Sequence, residues 1–139
     1  MPEPTPTPAD RLVARDHQGW TAELHAEFQR NEHNGHVGGR LIEQTRWTRL
    51  WEIHLAPGER LPAHRHVLNY SWTAVHSGLG RQHTHDGTTR EVTYRSGDSK
   101  FLLFPAGHFL LHDLENIGRT PLLFITTEFL TSPNPPLPL

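Results

Sequence analysis

The 139-residue sequence predicts an all-β domain, an antiparallel β-sandwich or barrel with a short N-terminal helix and proline-rich termini. Short runs rich in β-branched and aromatic residues follow one another from residue 40 onward. Turn residues separate these runs at intervals of about 8–12 positions, as in sandwiches and barrels. Asp86-Gly87 lies between two of the runs and is typical of a tight hairpin. A chain of this length supports one domain with one core.

Proline separates the ends of the chain from its middle. Eight of the twelve prolines lie in residues 2–8 and 133–138. Because proline fixes φ and has no backbone donor, these ends are predicted to be extended arms. The predicted organisation is an N-terminal arm with a short helix (1–39), a β-barrel (40–130) and a proline-rich tail (131–139). Either end could cover an exposed sheet edge, in the same chain or in a partner.

A helix is predicted over about residues 18–29, where Trp20, Leu24 and Phe28 recur every four positions between charged residues. Glycines and asparagines predict a loop over 31–39. The predicted strands then follow in order: 40–45, 47–55, 70–75, 81–85, 90–95, 101–104, 108–116 and 121–129. Gly and Pro turns separate them, the clearest being 56–59, 96–98 and 105–107.

Composition excludes several classes of protein. Thirteen basic against fifteen acidic residues give a formal charge of −2, which argues against a nucleic-acid binder. No apolar run approaches the ~20 residues of a membrane span, and no signal peptide is visible, so we expect a cytoplasmic protein with no membrane partner. Cysteine is absent, which excludes disulfides, thiolate nucleophiles and cysteine-ligated metals.

Histidine is the outlying residue, with twelve copies. His64 and His66 would project from one face of a strand, with Cα atoms about 6.6 Å apart, close enough to share a metal ion. The pair His83 and His85 precedes the Asp86-Gly87 turn and is predicted to be exposed. His112 lies on a late strand that an antiparallel barrel can bring beside His64 and His66.

The order of these residues resembles the cupin superfamily. The residues that resemble its first motif are Gly58-x5-His64-x-His66, followed by Gly78. Those that resemble its second motif are Gly97-Asp98, Pro105-x-Gly107 and His112-x3-Asn116. The resemblance covers about residues 40–130 and implies a cupin-type jelly roll. Residues 51–58 and 112–116 also resemble small single-domain, RmlC-like cupins associated with β-alanine degradation.

The resemblance implies that His64, His66 and His112 are metal ligands. The glutamate ligand usual in the family is replaced by Ser71, with Asn69 and Tyr70 just before it.

Two further residues are candidates for the chemistry. The Tyr70 phenol could donate a proton or a hydrogen bond to substrate. Strand alternation would place His108 on the same face as His112, as a fourth ligand or a catalytic group.

Three neutral imidazoles leave a divalent ion its full charge and open coordination positions, which favours an anionic or chelating small-molecule substrate. By resemblance to three-histidine cupin dioxygenases, the first hypothesis is a metalloenzyme that uses Fe(II) for oxidative cleavage. Ni, Zn, Mn or Cu would fit the same ligands. The alternatives are a metal-dependent lyase or isomerase, a non-catalytic binding or sensor module, and a structural cupin without metal. A homodimer is also expected from the resemblance.

Overall fold

A computed structural model describes residues 9–139, which form two five-stranded antiparallel sheets and one helix. The predicted arm at prolines 2–8 lies outside the described residues. The elements in chain order are β1 (Ala9–Ala14), α1 (Ala22–Arg30), β2 (Arg40–Gln44), β3 (Thr48–Leu55), β4 (Arg60–His66), β5 (Tyr70–Ala74), β6 (Gly78–His83), β7 (Thr89–Tyr94), β8 (Ser99–Leu102), β9 (Leu110–Asn116) and β10 (Leu122–Phe129). No helix among these residues is long and apolar enough to cross a membrane.

Strand pairing is nested around the β6–β7 hairpin. β6 pairs with β7, β5 with β8, β4 with β9 and β3 with β10, all antiparallel. The two sheets have the orders β1-β7-β6-β9-β4 and β2-β3-β10-β5-β8. The hairpin turn lies where Asp86-Gly87 predicts it, with Gly87 at φ +87°. Because the pairing is nested, β4 and β9 meet although their sequences are far apart.

The core lies between the sheets. The inward positions of β10 alternate with half-exposed ones, so that Leu122 and Phe124 are buried between the two layers. The other buried apolar members of this cluster are Ile53, Leu55, Leu61, Ala74, Val92, Tyr94 and Leu114.

The helix begins at Ala22, four residues later than predicted, because Thr21 has an extended backbone and caps it. The Thr21 side chain accepts a hydrogen bond from the Leu24 backbone N–H at 3.1 Å. Phe28 is buried against Ala63 on β4 and Leu111 on β9, so the helix packs on the outer face of that sheet.

The strand β1 is not predicted by the sequence, since it falls in the segment assigned to the arm. It pairs with β7 along the edge of its sheet, and Arg11 bonds to Glu91 at 3.0 Å across the pair. An edge strand with an exposed face needs no strong apolar pattern, and this one shows little. The edge of β7 is therefore covered by the same chain.

The C-terminal tail crosses the barrel surface without forming a strand. The Asn134 side-chain amide donates to the carbonyl oxygen of Val67 at 3.0 Å, and its Oδ1 accepts from the Gly107 backbone N–H at 2.8 Å. Arg49 donates to the carbonyl oxygen of Leu137 at 3.2 Å. These bonds hold residues 131–139 against the barrel.

Candidate metal centre

A bulge in β4 aims its two histidines inward. Leu61 pairs with Leu114 and His64 with His112, so between these two pairs β4 advances three residues while β9 advances two. The extra residue falls at Pro62–Ala63, and proline suits a bulge because it has no N–H to give to the ladder. Leu61, His64 and His66 consequently all line the interior.

The structure brings together the three histidines that the sequence predicts as ligands. One ring nitrogen of each lies within 4.8 Å of the others. The ring centroids are 4.7 Å apart for His64 and His112, 4.9 Å for His64 and His66, and 5.1 Å for His66 and His112. His64 and His66 are each 2% exposed. The separations are compatible with three ligands around one ion.

Burial keeps these imidazoles neutral. It lowers the pKa of His112 to about 3, that of His66 well below its usual value, and that of His64 less, because the Pro62 carbonyl partly opposes it. Neighbouring rings lower the pKa of His66 and His112 further. Neutral imidazole is the form that binds metals.

Hydrogen bonds fix the tautomer of two of the rings. The Nδ1–H of His64 donates to the carbonyl oxygen of Pro62 at 2.8 Å, and that of His112 donates to Gln82 Oε1 at 3.0 Å. Carbonyl oxygens only accept, so each Nδ1 carries the proton and each Nε2 keeps a lone pair. Histidines that ligate metals are held in this way.

The third ring is held by stacking. His66 lies on Tyr70 with the centroids 4.0 Å apart and the planes 10° from parallel. Its Nδ1 is buried and has no hydrogen-bond partner among the described residues. A donor set of three neutral nitrogens, two of them in a fixed tautomer, fits a divalent transition metal.

A cavity of about 790 Å³ opens over the cluster. Apolar side chains form much of its wall: Val37, Ile53, Leu61, Val92, Leu110, Leu114 and Phe124. Polar groups among them are Gln82, Tyr94 and Thr126, while the exposed lining residues Ser99, Lys100, Asp86 and Arg90 form the rim. The space is large enough for a small organic molecule.

Of the candidates that follow His66, Tyr70 lines the cavity, whereas Asn69 and Ser71 do not. Tyr70 is 3% exposed and lines the cavity, and burial raises its pKa, so it stays a neutral phenol. Asn69 is engaged elsewhere, since its Oδ1 accepts from the Phe104 backbone N–H at 2.7 Å. Ser71 pairs with Phe101, which is 68% exposed on the outer face, so the position of the usual glutamate points away from the cluster.

His108 is not brought to the cluster. The strand β9 begins at Leu110, and His108 is an exposed residue that follows the turn at 106–107. The alternation that places it on the face of His112 is therefore wrong, because it assumes that the strand extends through residue 108. A catalytic role for His108 stays a prediction.

The prediction of exposure is wrong for His83. Its side chain is only 14% exposed, and its Nδ1 lies 2.9 Å from the carboxylate of Asp113. Asp113 is 0% exposed and also accepts from Arg60 at 2.7 Å. A buried carboxylate requires such donors, and His83 is one of them. His85 is exposed, as predicted.

Sequence reasoning overlooks Gln82 and Tyr94, which line the cavity. The predicted strand 90–95 gives a signal for Tyr94 alone, because Tyr94 shares a strand face with Val92, which also lines the cavity. Nothing in the sequence marks Gln82 as the partner of His112, since β6 and β9 become neighbours only through the nested pairing.

No protein-family model matches the chain, and no curated protein matches it. Solved structures do match. A cupin domain from Bordetella pertussis Tohama I is 19% identical, with a TM-score of 0.56 over 65% of this chain and 88% of that one. An RmlC-like cupin family protein with a double-stranded β-helix fold from Methanocaldococcus jannaschii is 18% identical, with a TM-score of 0.53 over 65% and 76%.

A third solved structure agrees with these two. An uncharacterized conserved protein with a double-stranded β-helix domain from Klebsiella pneumoniae is 22% identical, with a TM-score of 0.50 over 63% of this chain and 70% of that one. Likeness at this level of identity concerns the fold. The predicted fold class is confirmed, and the chain has the jelly-roll, double-stranded β-helix fold of these cupin structures.

Proposed function

We propose that this protein is a metalloenzyme in which His64, His66 and His112 hold one divalent transition metal and which acts on a small anionic or chelating organic molecule. The observation that carries the proposal is the convergence of three buried, neutral imidazoles at the wall of a cavity of about 790 Å³. Three protein ligands leave coordination positions open, as catalytic sites do and structural sites do not.

Oxidative cleavage with Fe(II) is the first choice of reaction, on the resemblance to three-histidine cupin dioxygenases. The metal would supply Lewis acidity and a place where substrate and dioxygen meet. The chain itself supplies apolar walls that exclude water and the neutral phenol of Tyr70, stacked on His66, as a hydrogen-bond donor. A lyase or isomerase would use the same cavity.

The rim of the cavity supports an anionic substrate. Lys100, the one lysine of the chain, pairs with Trp72 across β8 and β5 and shares an inward strand face with Leu102. All three line the cavity. Among the described residues, the other lining cation, Arg90, is bonded to Asp10 at 3.2 Å, whereas no carboxylate lies within ion-pair distance of Lys100. An ammonium group without a carboxylate partner at the rim supports a substrate that carries a carboxylate.

Metal content tests the first part of the proposal. Protein produced with Fe, Ni, Zn, Mn or Cu is analysed by elemental mass spectrometry, together with His64→Ala and His54→Ala. His54 is exposed on β3 and serves as the matched control. We expect one equivalent of metal in the wild type and in His54→Ala, and none in His64→Ala with the fold retained by circular dichroism. Equal metal content in the two variants would overturn the assignment of the ligands.

Turnover is tested with the Fe(II) protein in an oxygen electrode. The screen covers β-diketones, thiols, hydroxy acids and catechols, and it includes β-alanine and short carboxylates because of the resemblance to the β-alanine-associated cupins. Oxygen consumed in proportion to substrate supports oxidative cleavage. Substrate loss without oxygen uptake supports a lyase or isomerase, and saturable binding without either supports a binding module.

A further inference from the structure

One carboxamide joins the histidine cluster to a second tyrosine. Gln82 Oε1 lies 3.0 Å from His112 Nδ1, and Gln82 Nε2 lies 2.8 Å from the hydroxyl oxygen of Tyr94. Both side chains line the cavity. The three residues therefore form a continuous chain of hydrogen bonds that starts at a candidate ligand and ends at a hydroxyl group beside the cavity.

The Tyr94 ring is fixed in place by its neighbours. It is 3% exposed and packs edge-on against Phe124 and Trp72, with centroids 4.8 and 5.5 Å away. Gly80 leaves room for it, since a Cβ at Gly80 would lie 3.1 Å from the Tyr94 ring. The hydroxyl oxygen thus has a defined position, and only its proton is free to rotate.

The direction of the hydrogen bonds is forced along this chain. When His112 Nε2 binds a metal, Nδ1 must carry the proton and needs an acceptor, which is Gln82 Oε1. The Gln82 amide then presents its NH₂ group to Tyr94, so the tyrosine oxygen accepts. Its own proton is not used by Gln82 and is available to the cavity. Burial also raises the pKa of Tyr94, which keeps that proton in place.

We propose that Tyr94 is a ligand-binding residue that donates its hydroxyl hydrogen to an oxygen atom of the substrate, and that Gln82 is the positioning residue that sets this direction from His112. The inference rests on the proposed function, because a metal bound at His112 Nε2 would hold the proton on Nδ1, as the bond to Gln82 requires. It assigns the substrate a second recognised group, an oxygen acceptor within reach of Tyr94, besides the group that meets the metal. The ligand class is therefore an oxygen-bearing chelator such as a carboxylate or a hydroxamate.

The chain permits a test that reverses the hydrogen bond. In Gln82→Glu, a carboxylate would accept from both His112 Nδ1–H and the Tyr94 hydroxyl, which would turn the tyrosine proton away from the cavity. Tyr94→Phe removes the same proton without adding charge. Gln29→Glu, exposed on α1, is the matched control for the added charge.

Binding is measured with the Co(II)-loaded protein, whose visible absorption reports both the metal and added ligands. The probes are acetate, oxalate and acetohydroxamate, and the one with the lowest Kd is followed. We expect Tyr94→Phe to leave Co(II) affinity unchanged and to weaken binding of the probe about tenfold, the lower end of the range for a hydrogen bond to a charged group. Gln29→Glu should bind the probe as the wild type does.

The double variant separates the reversed hydrogen bond from simple charge repulsion. In the Gln82→Glu background, Tyr94→Phe should not raise the Kd of the probe further, because the Tyr94 proton already points away from the cavity. A second tenfold rise in that Kd would overturn the inference. Gln82→Met, which lacks the acceptor, should weaken Co(II) about 10–100-fold, an effect that Tyr94→Phe does not share.

Failure of the proposed function and failure of this inference give different results. If wild-type protein binds no Co(II), the proposed function fails and the inference fails with it. If Co(II) and the probe bind and Tyr94→Phe binds the probe as tightly as the wild type, only the inference is overturned.

Discussion

Glu128 is a carboxyl group inside the barrel. It is 3% exposed, and its Oε1 accepts from Trp51 Nε1 at 2.7 Å. Burial raises its pKa to about 7, although the bond from Trp51 and the charge of Arg49 act in the opposite direction. The sequence predicts a strand over 121–129, in which neighbouring side chains point to opposite faces. It does not say whether Glu128 or Thr127 is the one that faces the core.

Glu128 should make the stability of the protein depend on pH. Because the pKa of Glu128 is higher in the folded chain than its usual 4.5, folding favours the protonated form, and this contribution is present below pH 4.5 and lost as the pH rises to about 7. The free energy of unfolding falls by about 3 kcal/mol over this pH range. Glu128→Gln should therefore be more stable than the wild type at pH 8 and about equally stable at pH 4.5.

Urea unfolding of the chelator-treated proteins at both pH values measures this difference. Glu43→Gln, exposed on β2, is the control and should follow the wild type. The same pH dependence in the wild type and in Glu128→Gln would contradict the assigned pKa.

Lys100 should contribute to the affinity of the cavity for anions. Lys100→Met should weaken oxalate binding to the Co(II) protein about three- to tenfold at low ionic strength, and less at high ionic strength, because the lost attraction is partly screened. Arg95→Met, at an exposed arginine away from the cavity, should have no effect. If Lys100 only protects the edge strand β8 from pairing with other chains, the variant will aggregate and keep its oxalate affinity.

At the scale of the element, β9 connects two different environments. His112 faces the cavity, whereas the next residue, Asp113, lies on the opposite face, where Arg60 links it to Glu27 of α1. Leu111 on that same outer face packs against Phe28. The helix is thus fastened directly behind the strand that carries a candidate ligand.

This packing predicts the cost of removing Phe28. Phe28→Ala should lower the free energy of unfolding by about 3–5 kcal/mol, because it leaves a cavity between α1 and the sheet. Phe101→Ala changes a phenylalanine that is 68% exposed and should cost about 0.5 kcal/mol or less. Chemical denaturation monitored by tryptophan fluorescence compares the two, and equal losses would mean that α1 is not docked as described.

For the molecule as a whole, the homodimer remains a prediction. Large apolar side chains are exposed on and beside β8, with Phe101 at 68% and Leu103 at 73%. We expect sedimentation velocity to show a dimer and Leu103→Asp to shift it toward monomer. A monomeric wild type over the whole concentration range would contradict the prediction.

Local chemistry is what the sequence predicts well. Asp86-Gly87 gives the hairpin, proline and glycine give the turns, and the spacing of His64 and His66 gives two of the three histidines of the cluster. The predictions fail where a residue or strand distant in the sequence decides the structure. His83 is half-buried because Asp113 needs a donor, and residues 9–14 form a strand because β7 offers an edge. Neither partner is visible from the neighbouring sequence.

The position of the only side-chain amine has a practical consequence. An amine-directed reagent, such as a succinimidyl ester, has one lysine to modify, and that lysine lies at the entrance to the cavity. Peptide mapping separates the label on Lys100 from the label on the α-amino group. The rate of labelling therefore reports whether the entrance is occupied. Mass spectrometry of briefly labelled protein can then screen a metabolite collection for compounds that shield Lys100, without any assumption about the reaction.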